Sequence, residues 1–304
     1  MSDDVGLKSG SILGEEAKPP FAVLPDPAAV FARRAKRFAG LAPQNDLAPY
    51  LSFLGTLAQA QHDIQSDLPP VLLPLPEQMA QAIAHGMPAA PRMSAQPDDA
   101  MQRTVVALLQ RLTHADIPPE SAAVVHGLLG ASTEELVGFI AAALSDADPG
   151  ETVAARVLVI AGLQVHFARV ASRLPAAELK PVADAACPVC GSGPVASAIV
   201  GWPKAFNTRF CTCSLCSTMW NVVRVKCLVC GSMDGISFRA VDGQPDTVKA
   251  ETCEKCRSYV KVVYQVKDPS LEPFADDVGT LGLDMLLAQD GWKRGGQNPF
   301  LLGY

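Results

Sequence analysis

Eight of the nine cysteines in this chain form four Cys-x-x-Cys pairs, and all nine lie after residue 186. A Cys-x-x-Cys turn lets two thiolates converge on one metal ion, and two such turns complete a tetrahedron with metal–sulfur bonds of about 2.3 Å. The sequence therefore predicts two four-cysteine metal sites of rubredoxin or zinc-ribbon type, and both iron and zinc accept this donor set. The predicted ligands are Cys187, Cys190, Cys213 and Cys216 in the first site and Cys227, Cys230, Cys253 and Cys256 in the second.

A tandem repeat underlies this grouping. Each cysteine of the first set recurs 40 residues later in the second set, and Gly191 and Ser192 recur as Gly231 and Ser232. Two copies of one unit favour sequential pairing of the turns, because each copy should be complete in itself. The alternative is interleaved pairing, in which the first turn joins the third. A unit of about 40 residues is too small for a stable core, so a metal is expected to supply much of its folding energy.

Cys211 stands outside the repeat, in the run FCTCSLC. The favoured interpretation is a buried, inert thiol, and the alternative is a thiol near the site that exchanges or traps metal. No histidine occurs after His166, which excludes mixed Cys/His sites in this region. A closed site of four thiolates, without an open coordination position, favours a structural role for the metal.

The rest of the sequence indicates a cytoplasmic protein. The start MSDDVG is acidic and lacks an apolar segment of signal-peptide type, so the paired cysteines suggest metal ligation in a reducing compartment. The longest apolar segment, Val153 to Leu174, is interrupted by Arg156, His166, Arg169 and Arg173. We therefore expect no membrane insertion.

Charge argues against nucleic-acid binding, the usual rival function of zinc ribbons. Ten Lys or Arg and five Asp or Glu lie between Cys187 and Lys267. Each divalent ion held by four thiolates contributes about −2, which leaves a surplus of about one positive charge. The basic residues are also scattered, so a surface that follows a phosphate backbone is not indicated.

No catalytic set is visible, and the chain is predicted not to be an enzyme. The run Gly191–Ala196 matches G-x-G-x-x-A, but it follows a cysteine turn and not a strand. His62 is interpreted as a helix-surface or core histidine. Asp276 and Asp277 open a predicted helix, where carboxylates are favoured by the exposed N–H groups.

The fold class expected is a multidomain α protein with small β units. Asp26-Pro27 and the capping box of Ser132 with Glu135 mark helix starts in the first half, and β-branched runs appear after Leu174. The predicted organisation is a flexible N-terminal tail (1–24), an all-helical bundle (25–180), a first rubredoxin-like four-cysteine unit (184–226), a second such unit (227–268), and a C-terminal helix with a docking tail (269–304).

From Cys187 onward the chain resembles the formate dehydrogenase accessory protein family, FdhE. The segments that carry this resemblance are ACPVCGSGPV, CSLCSTMWNVVRVKCLVCG, KAETCEKCRSYVKVVYQVKDP, ADDVGTLGLD and NPFLL. The helical region is similar more weakly, through PYLSFLGTLAQAQ. Cys211 departs from the family pattern of eight cysteines.

The resemblance implies a cytoplasmic accessory factor with rubredoxin-like units that bind iron. It implies that the protein is needed for active respiratory formate dehydrogenase and binds the catalytic subunit, which carries molybdenum and selenocysteine. Two other classes stay open on the residues alone: a rubredoxin-like electron carrier and, less favoured, a zinc-ribbon nucleic-acid-binding protein. The sequence also leaves self-association open.

Overall fold

A computed structural model describes residues 19–145 and 150–302 of the chain, apart from the side chain of Glu151. Residues 1–18 of the predicted tail lie outside this range, and so do Gly303 and Tyr304 of the docking tail. Ala22–Val23, which also fall in the predicted tail, form a short strand.

The first half of the described chain is helical, as expected. Its seven helices are α1 (Pro27–Leu41), α2 (Ala48–Asp63), α3 (Pro76–Ala84), α4 (Asp99–Leu112), α5 (Pro119–Gly130), α6 (Thr133–Leu144) and α7 (Val153–Ala171).

The predicted start signals act as helix caps. The Asp26 side chain accepts a hydrogen bond from the Ala28 backbone at 3.0 Å, with Pro27 as the first residue of α1. Ser132 and Glu135 form the reciprocal capping box at the start of α6. These caps satisfy backbone N–H groups that have no partner inside the helix.

Helix α7 is the central helix of this region. It packs against α4, α5 and α6, and Val159, Leu163 and Val165 on it are fully buried. By length and composition alone α7 could cross a membrane, but most of its surface is buried inside the protein. Its apolar character is thus accounted for by its place in the core.

The second half forms one mixed sheet. Its strands are β2 (Pro194–Val200), β3 (Thr208–Cys213), β4 (Met219–Asn221), β5 (Ile236–Arg239), β6 (Val248–Cys253), β7 (Ser258–Val263) and β8 (Lys293–Arg294), and Ala22–Val23 is β1.

The sheet reflects the sequence repeat. β2, β3 and β4 form an antiparallel ladder in the first unit, and β5, β6 and β7 form the same ladder in the second. The two ladders join because β2 pairs in parallel with the end of β7, and β8 pairs with the start of β7. The two units are therefore halves of one continuous sheet.

Two short helices replace the single C-terminal helix expected from the sequence. They are α8 (Pro273–Gly279) and α9 (Leu281–Gln289), separated at Thr280. The Thr280 hydroxyl donates to the Asp276 carbonyl at 2.7 Å, and the Thr280 carbonyl accepts from Lys261 Nζ at 3.0 Å. The backbone leaves the helical conformation at Thr280, with φ of −112° and ψ of 31°, and Lys261 satisfies the carbonyl at this break.

One hydrophobic core connects the helical region with the first cysteine unit. It contains residues of α1, α2, α4 and α7 together with Val189, Trp220 and the cysteines of the first unit. Phe300 and Leu301 of the tail are also buried in it, and Tyr50 Oη donates to the Phe300 carbonyl at 2.5 Å. Phe300 and Leu301 therefore pack onto the core of the helical region.

We expect Gly162→Ala to destabilise the helical region. A Cβ at this position of α7 would lie 2.8 Å from Val105 Cγ2 and 2.9 Å from Val105 Cα, so the free energy of unfolding should fall by about 1–3 kcal/mol. Gly138→Ala on α6 is the matched control, because its Cβ would meet nothing within 4 Å. That substitution should raise the free energy by about 0.5–1 kcal/mol. Chemical denaturation followed by far-UV circular dichroism measures both, and equal effects would contradict the close packing of α4 on α7.

Candidate metal centres

The structure groups the cysteines sequentially. In each of the two cysteine units, the four sulfur atoms lie within 4.8 Å of one another. The sets are Cys187, Cys190, Cys213 and Cys216 in the first unit and Cys227, Cys230, Cys253 and Cys256 in the second. Each set could therefore bind one metal ion tetrahedrally.

The sulfur spacing suits a single ion. In the first unit the sulfurs of Cys187 and Cys216 are 3.5 Å apart, and those of Cys190 and Cys213 are 3.3 Å apart. In the second unit Cys227–Cys256 is 3.6 Å, and Cys230–Cys253 is 3.7 Å. Four thiolates about 2.3 Å from one ion would be about 3.8 Å apart.

Each unit presents its sulfurs on two turns, which we call knuckles. The first knuckle is 187–190 or 227–230, and the second is 213–216 or 253–256. Glycine follows each first knuckle with positive φ, 79° at Gly191 and 73° at Gly231. The residues after the second knuckles, Ser217 and Arg257, have φ of 59° and 55°. The repeat thus extends to backbone conformation.

Backbone N–H groups point at the sulfurs, as expected for cysteines that are thiolate anions. The N–H groups of Val189 and Leu215 each donate at 3.4 Å, to Cys187 Sγ and Cys213 Sγ respectively. In the second unit the Cys230 N–H donates to Cys227 Sγ at 3.4 Å. Such bonds stabilise thiolates and so prepare the turns for a cation.

The electrostatics of the first cluster also favour a cation. Burial raises the pKa of Cys187 and Cys216 well above the usual thiol value, and the charge of the Cys190 thiolate raises both further. Four buried thiolates this close together repel one another unless a cation lies between them. Metal binding should therefore release protons from the cluster.

The helical region covers both knuckles of the first unit. The amides of Ala89, Ala90 and Arg92 donate to the carbonyls of residues 188, 189 and 190 at 3.0, 2.7 and 3.0 Å. On the second knuckle, Gln164 Nε2 donates to the Ser214 carbonyl at 2.9 Å. All four cysteines of the first unit are at most 1% exposed. This site is sealed inside the protein.

The second unit lies at the surface. Cys230 is exposed and Cys256 is half-buried, whereas Cys227 and Cys253 are buried. Its second knuckle carries Glu254 and Lys255, where the first unit has Ser214 and Leu215. Identical donor sets thus occupy two different environments, which the cysteine spacing alone does not distinguish.

Cys211 belongs to neither group of four sulfurs. It lies on β3, fully buried in the main core, and burial raises its pKa to about 12. At neutral pH it is therefore a protonated thiol, which is a poor nucleophile and a poor metal ligand. This environment matches the favoured interpretation of an inert thiol.

A buried ion pair joins the two units, and no sequence pattern predicts it. Arg209 on β3 contacts Glu251 on β6, with 2.8 Å between Nη1 and Oε2, and both side chains are at most 3% exposed. The same nitrogen donates to the Lys226 carbonyl at 3.1 Å, directly before the first knuckle of the second unit. Burial raises the pKa of Glu251 despite this partner. Arg209 thus fixes one unit against the other.

A second buried network holds the C-terminal helices. Lys261 on β7 and Arg294 on β8 are each paired with both Asp277 and Asp284. Two cations and two anions balance, which limits the cost of burying them. Tyr259 Oη also donates to Asp284 at 2.7 Å.

Two acidic side chains, Asp276 and Asp63, tie helices to each other. Asp276 binds Arg37 on α1, with 2.6 Å between Oδ1 and Nη2, so it ties α8 to the helical region. Asp63, beside His62, binds Arg111 at 2.7 Å. Asp276 and Asp277 lie in the first turns of α8 as expected, but they also form the ion pairs that hold this helix in place.

Comparison with known proteins identifies one family. The family models described as "FdhE, N-terminal", "FdhE, central domain" and "FdhE, C-terminal domain" match residues 19–184, 186–224 and 225–301. A "Protein FdhE homolog" of Rhizobium meliloti (strain 1021) is 40% identical over 299 residues, 97% of each chain. "Protein FdhE" of Escherichia coli (strain K12) is 33% identical over 279 residues, 90% of this chain and 88% of that one.

A solved structure has the same fold. It is described as the crystal structure of the FdhE protein from Pseudomonas aeruginosa, and it is 28% identical in sequence to this chain. The match covers 94% of this chain and 99% of the other, with a TM-score of 0.81. The overall fold is therefore shared over 94% of this chain.

We expect the second site to exchange metal and react with thiol reagents first. A chelator should remove one metal equivalent at least tenfold faster than the other, because only the second cluster reaches solvent. With iodoacetamide and peptide mapping at pH 8, Cys230 and Cys256 should be modified before the cysteines of the first unit. Cys211, with its pKa near 12, should stay unmodified until the chain unfolds. Equal release of both ions would contradict this difference.

Arg209→Met should destabilise the metal-loaded protein because it leaves Glu251 buried without its cation. Loss of one partner of a buried pair costs about 3–5 kcal/mol of unfolding free energy. Lys267→Met is the control, since it removes an exposed partner of Asp246 and should leave the unfolding midpoint unchanged. A midpoint for Arg209→Met equal to that of the control would show that the pair does not couple the units.

Proposed function

The chain belongs to the FdhE family, and on this premise we propose that it is a cytoplasmic accessory factor for the maturation of respiratory formate dehydrogenase that binds the catalytic subunit of that enzyme. The observation that carries the proposal is the combination of two four-sulfur clusters with a helical region in one body. A helical region that encloses one cluster and leaves the other at the surface suits a protein that presents a metal unit to a client.

The eight clustered cysteines are the proposed metal ligands. Four sulfurs fill a tetrahedron and leave no open position for a substrate, which supports a binding role and not an enzymatic one. Iron is the favoured metal, from the family resemblance. Iron held by four thiolates can change oxidation state, whereas zinc cannot.

The two sites are proposed to have different tasks. The first site shares its core with α1, α2, α4 and α7, so its ion would brace the junction between the helical region and the sheet. The second site exposes Cys230, so its ion would lie within reach of a bound client. A redox step toward the client, if the metal is iron, would therefore use the second site.

A rubredoxin-like electron carrier is the second candidate function. The exposed position of Cys230 favours it, because electron transfer needs a short path from the metal to the protein surface. A free carrier does not need a helical region as large as residues 19–184, and the buried contacts of that region with the first unit favour the accessory role. No observation on the described residues favours nucleic-acid binding in the way that exposed Cys230 favours electron transfer. The burial of α7 in the core supports a protein that does not insert into a membrane.

Anaerobic purification followed by metal analysis tests the sites. We expect about two irons per chain and a ferric thiolate absorption that disappears on reduction. Changing Cys227 and Cys230 together to Ala should remove one ion and leave the far-UV circular dichroism of the helical region unchanged. Changing Cys187 and Cys190 together to Ala should also remove one ion, but with a lower unfolding temperature, because that cluster is part of the main core. Retention of two ions by either variant would contradict the assignment of these cysteines as metal ligands.

Binding of the purified catalytic subunit of formate dehydrogenase tests the function. We expect a stable complex with the metal-loaded protein, detected by co-elution in size-exclusion chromatography. A protein that carries electrons to that enzyme without binding it stably, or that binds DNA or RNA in a salt-dependent way, would favour the rival functions.

A further inference from the structure

The repeat provides an internal comparison between two equivalent knuckles. In the first unit, Val189 is fully buried under the segment 88–92 of the helical region. Its counterpart 40 residues later, Val229, is 49% exposed. The same backbone turn, with the same following glycine conformation, is thus covered in one unit and open in the other.

The covering segment shows how such a knuckle is recognised. Residues 88–92 read Pro-Ala-Ala-Pro-Arg, and they run along the knuckle with bends at Ala89 and Ala90 before a short 3-10 helix that begins at Arg92. Three of their amides donate to three successive knuckle carbonyls. The small side chains of Ala89 and Ala90 are buried, and Pro88 lies against Gly191, where an added Cβ would be 3.1 Å from its ring. The flanking prolines restrict the backbone of this segment before binding.

The open knuckle of the second unit lacks this cover. Among the residues that the structure describes, none donates a hydrogen bond to the carbonyls of Leu228, Val229 or Cys230. Met233, three residues after the knuckle, is 66% exposed. Gly295 touches one side of Val229 and leaves the rest of that side chain open. The exposed apolar side chains of Val229 and Met233, beside carbonyls without a donor in the described chain, form a binding surface for a peptide backbone.

The strand that follows the open knuckle, β5, is an edge strand of the described sheet. β2 lies inside the sheet, between β3 and β7, whereas its counterpart β5 lies at the end of the strand order of the described sheet. The second unit thus lacks both neighbours that enclose the first unit. Its second knuckle carries Glu254, Lys255 and Arg257, which are exposed and charged. An apolar centre beside a charged margin is typical of a protein–protein interface.

We propose that the open knuckle, Cys227–Cys230 with Met233, binds a segment of the client that has consecutive small side chains flanked by proline, in the way that residues 88–92 bind the first knuckle. This rests on the proposed function for the identity of the client, the formate dehydrogenase catalytic subunit. The client's backbone amides donate to the carbonyls of Val229 and Cys230, the two exposed residues of this knuckle. Binding there places the client directly beside the exposed Cys230 of the second metal site.

Substitutions on the open knuckle test this surface. Val229→Asp and Met233→Asp each place a carboxylate under the docked segment, and each should weaken binding of the catalytic subunit at least tenfold. Leu286→Asp on α9 is the matched control, because Leu286 has the same 49% exposure as Val229, and it should bind like the unchanged protein. All three variants are first checked for two bound ions and an unaltered unfolding temperature. Binding of the subunit by both Val229→Asp and Met233→Asp at full affinity would overturn the proposal.

A synthetic peptide separates this proposal from the proposed function. The probe is the chain's own segment 87–94, MPAAPRMS, labelled with a fluorophore and titrated into the metal-loaded protein. We expect saturable binding of one peptide per chain, at least tenfold weaker in Val229→Asp and unchanged in Leu286→Asp. If the unchanged protein does not bind the catalytic subunit, the proposed function fails, and the peptide titration still decides the surface.

Three results of the peptide experiment would overturn the surface assignment. The first is the absence of saturable binding, and the second is binding that Val229→Asp does not affect. The third is peptide binding that is detected only after residues 1–18 are deleted or after a dimer dissociates. In that case a part of this chain, and not a client, would occupy the knuckle. Sedimentation equilibrium of the unchanged and Val229→Asp proteins measures the dimer directly.

Discussion

Mutual repulsion among four closely spaced thiolates is the constraint on which the sheet region depends. Each cysteine unit brings four sulfurs within 4.8 Å of one another, an arrangement that is stable with a cation between them and costly without one. The knuckle amides, the glycines with positive φ and the antiparallel ladders all serve to hold these sulfurs in place. Because a unit of about 40 residues has little core of its own, the ion and the surrounding packing must together stabilise it.

The packing differs between the units although their chemistry is the same. The first unit is enclosed by the helical region, so its ion becomes part of the main core. The second unit depends on the sheet, on the Arg209–Glu251 pair and on the short C-terminal helices. Two copies of one small motif thus provide a buried site in the first unit and an accessible site in the second. This division accounts for a helical region that a simple electron carrier would not need.

Buried charges hold these parts together at their boundaries. Arg209 and Glu251 join the two units, Lys261 and Arg294 join the sheet to α8 and α9, and Arg37 and Asp276 join α1 to α8. Each group pairs opposite charges, and a misplaced element would leave one of them buried without its partner. Such pairs add less to stability than apolar packing of the same volume would, but they strongly disfavour alternative arrangements. We infer that they set the orientation of the second site relative to the helical region.

The sequence alone determined the local features of this protein. Cysteine spacing and the repeat offset defined which sulfurs could meet, since a Cys-x-x-Cys turn is a short-range structure, and Asp26, Ser132 and Glu135 marked helix starts because caps act within one turn. Only the tertiary structure decided that the two units share one sheet, that Thr280 divides the last helix, and that Arg209 and Lys261 are buried. These outcomes depend on contacts between residues far apart in the chain, which leave no periodic pattern. For the same reason the sequence could not tell the sealed site from the open one: the cover over Val189 comes from a segment about 100 residues earlier, and Val229 has no such neighbour in the described chain.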